Sequence, residues 1–189
     1  ALLKRNVLKV VKKAEKAGVK LIGLCGWLPS FTEYGLNLKC SVKNTGITTG
    51  HAYAAWTIAY YVEQAIEQKK GQVTDLLIAI VGAGGSTGSL SLETLIDRKI
   101  GSRFLLIDLP KKIEKLTALA SRFEGSHFII SSDLYSLQDA DVVVVVTNAG
   151  DCILRPEHIK DGAVIIDDTQ PRNTSQAVHD KATVIEVLS

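Results

Sequence analysis

The chain has 189 residues, of which 46% are hydrophobic and 22% charged, with a formal net charge of +2. This is the make-up of an ordinary globular chain, and it carries no global attraction to nucleic acid or to a membrane surface. The longest apolar runs, such as residues 142–146, are too short to span a bilayer.

Residues 2–17 read as an amphipathic helix. Leu3, Val7, Val10, Val11, Ala14 and Ala17 recur at helical spacing, and Gly18 closes it. Lys4, Arg5, Lys9, Lys12, Lys13 and Lys16 cover the opposite side, as a solvated face or as a dock for an acidic partner. A short strand follows over residues 19–25. Residues 26–47 read as a loop with one short strand at 36–42. Thr48 or Thr49 is a candidate N-cap for a long helix running to about residue 70 and ended by Gly71. Residues 71–75 read as the boundary between an N-terminal segment (1–71) and a second domain (72–189).

From residue 76 onward the pattern alternates. Strands are expected at 76–81, 104–108, 127–130, 141–146, 163–167 and 183–187. A crossover helix is expected at 111–122, with shorter turns or helices at 133–137 and 156–160. The fold class is therefore α/β. It is a Rossmann doubly wound parallel sheet in the order 3-2-1-4-5-6, behind a partial N-terminal α/β piece. The chain begins within a helical pattern and has no methionine, which reads as a segment of a longer protein or as one lacking some residues. Nothing in the pattern specifies an oligomer.

The first strand of the alternating region runs directly into Gly82, Ala83, Gly84, Gly85, Ser86, Thr87 and Gly88, and a helix follows. This is the sequence form of a dinucleotide-binding βαβ unit. Gly82 permits the tight turn, Gly84 or Gly85 leaves bare backbone for a pyrophosphate, and Gly88 permits close helix packing. Free N–H groups at Ser86 and Thr87 would receive the phosphates. Asp108 stands at the end of the next strand, about 20 residues on, where an acid accepts hydrogen bonds from the adenosine ribose. These residues point to NAD, with NADP possible through Lys111 or Lys112. Thr147 and Asn148 follow the fourth strand, in a segment small enough for the nicotinamide half to approach.

The residues with candidate reactivity are few. Cys152 lies at the same rim and would need a base or a positive charge nearby to act as a nucleophile. His51 opens the long helix and is a candidate acid, base or donor. Asp167 and Asp168 are candidates to orient a substrate or water. Cys25 reads as a core thiol, and Cys40 stands beside Lys39. Three cysteines without metal spacing, and no secretory signal, suit a reducing cytosol.

The combination of Thr48-Thr49-Gly50, Val62-Glu63-Gln64-Ala65, the glycines Gly82, Gly85 and Gly88, Asp141-Val142-Val143 and Ile166-Asp167 resembles the cyanobacterial long-chain acyl-[acyl-carrier-protein] reductases. It also resembles predicted amino-acid dehydrogenases with Rossmann domains like those of shikimate dehydrogenases. The likeness runs from about residue 8 to residue 181. It implies a nicotinamide-dependent oxidoreductase that reduces a carrier-linked acyl thioester to an aldehyde, with an acidic carrier protein as partner. Three positions depart from the pattern. The family uses NADPH and has a basic residue where Leu109 stands, after a neutral one where Asp108 stands. It has asparagine where His51 stands. Its acyl-accepting cysteine matches none of Cys25, Cys40 or Cys152. The competing readings are an NAD(P)-dependent dehydrogenase of a small-molecule hydroxy or amino acid, and a dinucleotide-binding domain without chemistry.

Overall fold

The computed structural model describes residues 2–26, 28–69 and 76–187. Contacts divide the chain into two compact units, residues 1–52 and residues 53–189. The boundary expected at residues 71–75, and the helix end at Gly71, lie outside the described residues.

The first unit is a small α/β piece. Helix α1 (Leu2–Lys16) is followed by strand β1 (Leu21–Gly23), short helices α2 (Leu28–Phe31) and α3 (Leu36–Lys39), and strand β2 (Gly46–Thr48). Strands β1 and β2 pair in parallel, and Val11, Leu24 and Leu38 form the centre of a small core. Glu15 of α1 accepts the backbone N–H groups of Lys43 and Asn44, which hold its carboxylate below the usual range.

Three expectations are corrected here. Residues 36–39 are helical rather than extended: the two-residue alternation of Leu36 and Leu38 is too short to separate the two periods, and Leu38 alone is buried. Residues 46–48 form a strand that their Gly-Ile-Thr composition hides, so Thr48 is extended. The residue before the long helix is Gly50, with φ +77°. Cys25 lies past the end of β1 and is exposed, the core position being Leu24.

Helix α4 (His51–Gln68) carries Ala55, Ile58, Ala59, Val62, Ala65 and Ile66 on one face, all buried. The spacing is that of one helical stripe. From Ile58 onward these residues join the main core of the second unit, so α4 is a layer of that unit.

The second unit is built on six parallel strands. They are β3 (Leu77–Val81), β4 (Arg103–Ile107), β5 (His127–Ser131), β6 (Val142–Val145), β7 (Val164–Asp167) and β8 (Thr183–Glu186). Their order is β5-β4-β3-β6-β7-β8, which is the expected 3-2-1-4-5-6. Strands β3 and β6 are buried at every residue, as runs covered on both faces must be. One face packs against α4, α5 (Ser86–Asp97) and α6 (Ile113–Ala120), through Leu92, Leu95 and Leu116. The other is covered by Leu137, Leu154, Ile159 and Val178, the last on helix α7 (Gln176–His179).

Asp141 ties the entry of the sheet together. Its carboxylate accepts Leu77 N–H at 3.0 Å and Lys160 Nζ at 2.7 Å. Burial pushes this carboxyl up, but Lys160 and the Leu77 N–H outweigh that and hold it below the usual range. The switch in strand order falls between β3 and β6, and it opens a crevice at the carboxyl ends of the strands.

Candidate functional site

The turn after β3 is held by its glycines. Gly82 has φ +91°, a left-handed value that favours glycine, and its N–H donates to Ile107 O at 2.8 Å. A Cβ there would lie 2.5 Å from Val146 O, and one at Gly88 would run into Gly82 O and Ala83 Cα. Both positions must be bare for the turn, the neighbouring strand and α5 to pack. Gly85 differs: its φ of −79° suits any residue, and a Cβ would meet only Gly82 O, at 3.1 Å. Gly85 is thus the least constrained of the three, its one close neighbour being the Gly82 carbonyl. Ser89 N–H reaches back to Gly85 O, and the N–H groups of Ser86, Thr87 and Gly88 before it form the open first turn of α5.

Gly84, a candidate for the same bare backbone, is covered. Its N–H donates to Asp108 Oδ2 at 2.9 Å, and a Cβ would strike that oxygen and Lys112 Cδ. Asp108 follows β4 with a side chain only 6% exposed. Its Oδ1 accepts Leu109 N–H at 2.8 Å and its Oδ2 also accepts Lys112 Nζ at 3.1 Å. Lys115 Nζ donates to Gly84 O at 2.6 Å. Two lysines of the next helical segment thus fold onto the glycine turn.

These groups share an open cleft of about 440 Å³. It is lined by Gly82 and Gly85, by Asp108, Leu109 and Lys112, and across from them by Val146, Thr147, Asn148, Ala149 and Ile153. Bare backbone at Gly85, an open helix turn and an acid at the end of β4 are the donor and acceptor set of a dinucleotide site. The residues present fit such a cofactor.

The far end of the cleft depends on residues that the sequence motifs do not reveal. The Thr147 hydroxyl donates to Asn173 Oδ1 at 2.5 Å and accepts Ala149 N–H at 3.1 Å, so it is engaged within the protein. Asn173 is fully buried. Asp167, buried at the end of β7, accepts the hydroxyls of Thr169 and Thr174 and the N–H of Asn173. The signal in the sequence was a run of Thr, Pro and Asn after an Asp, which equally describes a turn.

Asp168 follows directly. Its Oδ1 is buried without a hydrogen-bond partner, and burial, with a smaller push from Asp167, raises its carboxyl to about 6. Cys152 is exposed, and its Sγ donates to Asn173 O at 3.1 Å. His51 belongs to the first unit, where Nδ1 lies 2.8 Å from Thr49 Oγ1 and the ring meets Tyr34 edge-on at 5.5 Å. Among the described residues no cluster of three His, Cys, Asp or Glu side chains could hold a metal, and no helix is long and apolar enough to cross a membrane.

Residues 64–187 match the family model described as shikimate / quinate 5-dehydrogenase. A long-chain acyl-[acyl-carrier-protein] reductase of Synechococcus elongatus is 28% identical over 181 residues, covering 92% of this chain and 52% of the relative. A glutamyl-tRNA reductase of a Sulfurihydrogenibium species is 28% identical over 145 residues, covering 73% of this chain and 32% of the relative. The chain therefore spans about half the length of the first relative and a third of the second. The resemblance read from the sequence is borne out. A crystal structure of an NAD-dependent malic enzyme from Thermotoga maritima superposes with a TM-score of 0.60 at 15% identity, covering 96% of this chain and 52% of that one. It shares the fold.

Proposed function

The chain belongs to the shikimate / quinate 5-dehydrogenase family, and on that premise we propose that it is a nicotinamide-dependent oxidoreductase that reduces a carrier-linked acyl group to an aldehyde. The observation that supports the cofactor is Gly85, whose extended backbone does not itself require glycine, at the mouth of an open helix turn and across the cleft from Thr147. In this reading the first turn of α5 binds the pyrophosphate, Asp108 orients the adenosine ribose, and the Thr147–Asn148 segment borders the nicotinamide end. The bound cofactor supplies the hydride. For a thioester the products are the aldehyde and the free carrier thiol.

The substrate class rests on the curated relatives, whose names describe reductases of acyl-[acyl-carrier-protein] and of glutamyl-tRNA. His51 is the candidate for proton transfer and Cys152 for thiol chemistry. All three cysteines are free and exposed, which suits a reducing cytosol. The first unit carries nine Lys and Arg against two Asp and Glu, out of chain totals of 22 and 20. That imbalance supports docking of an acidic carrier protein on α1, where Lys9, Lys12 and Lys16 are exposed. Reversing those three charges should weaken carrier binding. Added salt should weaken it in the parent, because the Debye length is only about 8 Å at physiological ionic strength. Unchanged carrier affinity in the charge-reversed variant would refute the dock.

A second reading, oxidation or reduction of a small hydroxy or amino acid, is favoured by the family match itself. Following nicotinamide absorbance with an acyl-carrier thioester, with shikimate-like hydroxy acids and with amino acids separates the two. Turnover of the thioester alone supports the first reading, and turnover of the small acids alone the second. Cofactor binding without turnover of any acceptor would make this a nucleotide-binding domain.

A further inference from the structure

Asn173 joins three segments that lie far apart in the sequence. Its Oδ1 accepts the Thr147 hydroxyl, and its Nδ2 reaches the carbonyls of Ala149 at 3.4 Å and Pro171 at 3.2 Å. Its backbone N–H is shared between Asp167 Oδ2 at 3.1 Å and Thr169 Oγ1 at 2.9 Å, and its carbonyl accepts Leu154 N–H at 3.0 Å. Each of its polar groups is used inside the protein, so it has no role as a direct ligand contact.

Among the described residues, the segment it holds has one other tie, the Ala149 N–H to the same Thr147 hydroxyl at 3.1 Å. Strand β6 ends at Val145, and Val146 N–H makes the last bond to the neighbouring β3, at Val81 O. Beyond that, Thr147, Asn148 and Ala149 border the cleft as irregular backbone. We infer that Asn173 is a positioning residue for the nicotinamide end of the cofactor, fixing residues 147–149 in one conformation by tying them to Asp167 at the end of β7. This rests on the cofactor reading above. Without the tether the segment samples more conformations, and a ligand that needs it must first order it. A ligand that occupies only the glycine turn and Asp108 needs no such ordering.

NADH and ADP-ribose separate the two cases, since ADP-ribose keeps the adenosine and pyrophosphate and lacks the nicotinamide. Titration calorimetry on the parent, Asn173→Ala, Thr147→Val and Thr147→Ser, with circular dichroism of each, tests the inference. Asn173→Ala should weaken NADH by about tenfold and leave ADP-ribose within about twofold of the parent. Thr147→Val, which removes the hydroxyl at nearly constant volume, should shift binding in the same direction. Thr147→Ser, which keeps the hydroxyl, should bind like the parent. If Asn173→Ala fails to fold, the two Thr147 variants decide. Equal loss of both ligands, or loss of neither, overturns the inference while the cofactor reading stands. A parent that binds neither ligand overturns both.

Discussion

The two ends of the cleft are built differently. The glycine-turn end is local: Gly82, Gly85, Gly88, Asp108, Lys112 and Lys115 fall within one β-α-β-α stretch, and its contacts run mostly from side chain to backbone. The opposite end is assembled from residues 147–149 and 167–174, joined across two strands by a buried side-chain network. Their charges differ as well. Asp108 is paired with a lysine, whereas no ion pair with Asp167 or Asp168 is found among the described residues. The first end thus ties its acid and lysine onto the glycine turn, and the second ties its own loop to the end of β7.

The largest effect should come from the glycine-turn end. Gly85→Val places a branched side chain at the open turn of α5, in an extended backbone conformation open to any residue and with one tight neighbour, Gly82 O at 3.1 Å from the Cβ. Cofactor binding should be abolished with little change in circular dichroism. Gly88→Val should instead lose folded structure, because Gly82 O already fills that space. If calorimetry shows Gly85→Val binding as tightly as the parent, the turn is only structural and the contrast between the two ends disappears.

A smaller effect separates the two cofactors. With the adenosine ribose at Asp108, as proposed, the carboxylate should oppose the 2′-phosphate of NADP, whose charge is about −1.5 to −2 by analogy with other phosphomonoesters. Lys112 offsets part of that charge, but it is bonded to the same carboxylate whose N–H partners, Gly84 and Leu109, are fixed backbone. The expected preference is NAD, and Asp108→Ala with Leu109→Arg should reverse it. Tighter NADP binding by the parent would show that Lys112 leaves Asp108 for the phosphate.

How legible each end was in the sequence follows from the same difference. The strand order, the glycine turn and Asp108 are encoded in apolar runs and short spacings, which survive without knowledge of tertiary contacts. One detail within that stretch was not. Gly84 and Gly85 look alike in sequence, and only the fold shows that Asp108 covers the first and leaves the second open. Outside it, Asn173 could not be assigned, because its role depends on Thr147, more than twenty residues away in the chain, and Asp167, a candidate to orient substrate or water, is instead buried against Thr169, Asn173 and Thr174. In the first unit, strands of three residues carry too few side chains for a period to be read, which hid β2.

The smallest expected effect tests the electrostatics of the loop after β7. Asp168 has a buried, unpartnered oxygen, and its carboxyl is raised from the ordinary 3.8 to about 6 by burial and then by Asp167. Between those values the folded chain holds a proton that the unfolded chain has released. Stability from this residue is therefore greatest below pH 3.8 and falls as the pH rises towards 6, above which the folded state carries the full cost of a buried charge. Asp168→Asn cannot ionise and avoids that cost. Its melting temperature should exceed the parent's by a few degrees at about pH 8, and the gap should close by about pH 4. Asp108→Asn should do the opposite at neutral pH, since it removes a carboxylate that Lys112 and two N–H groups stabilise. A gap between the Asp168→Asn variant and the parent that does not change with pH would mean that Asp168 ionises freely. The charge contrast between the two ends would then be absent in solution.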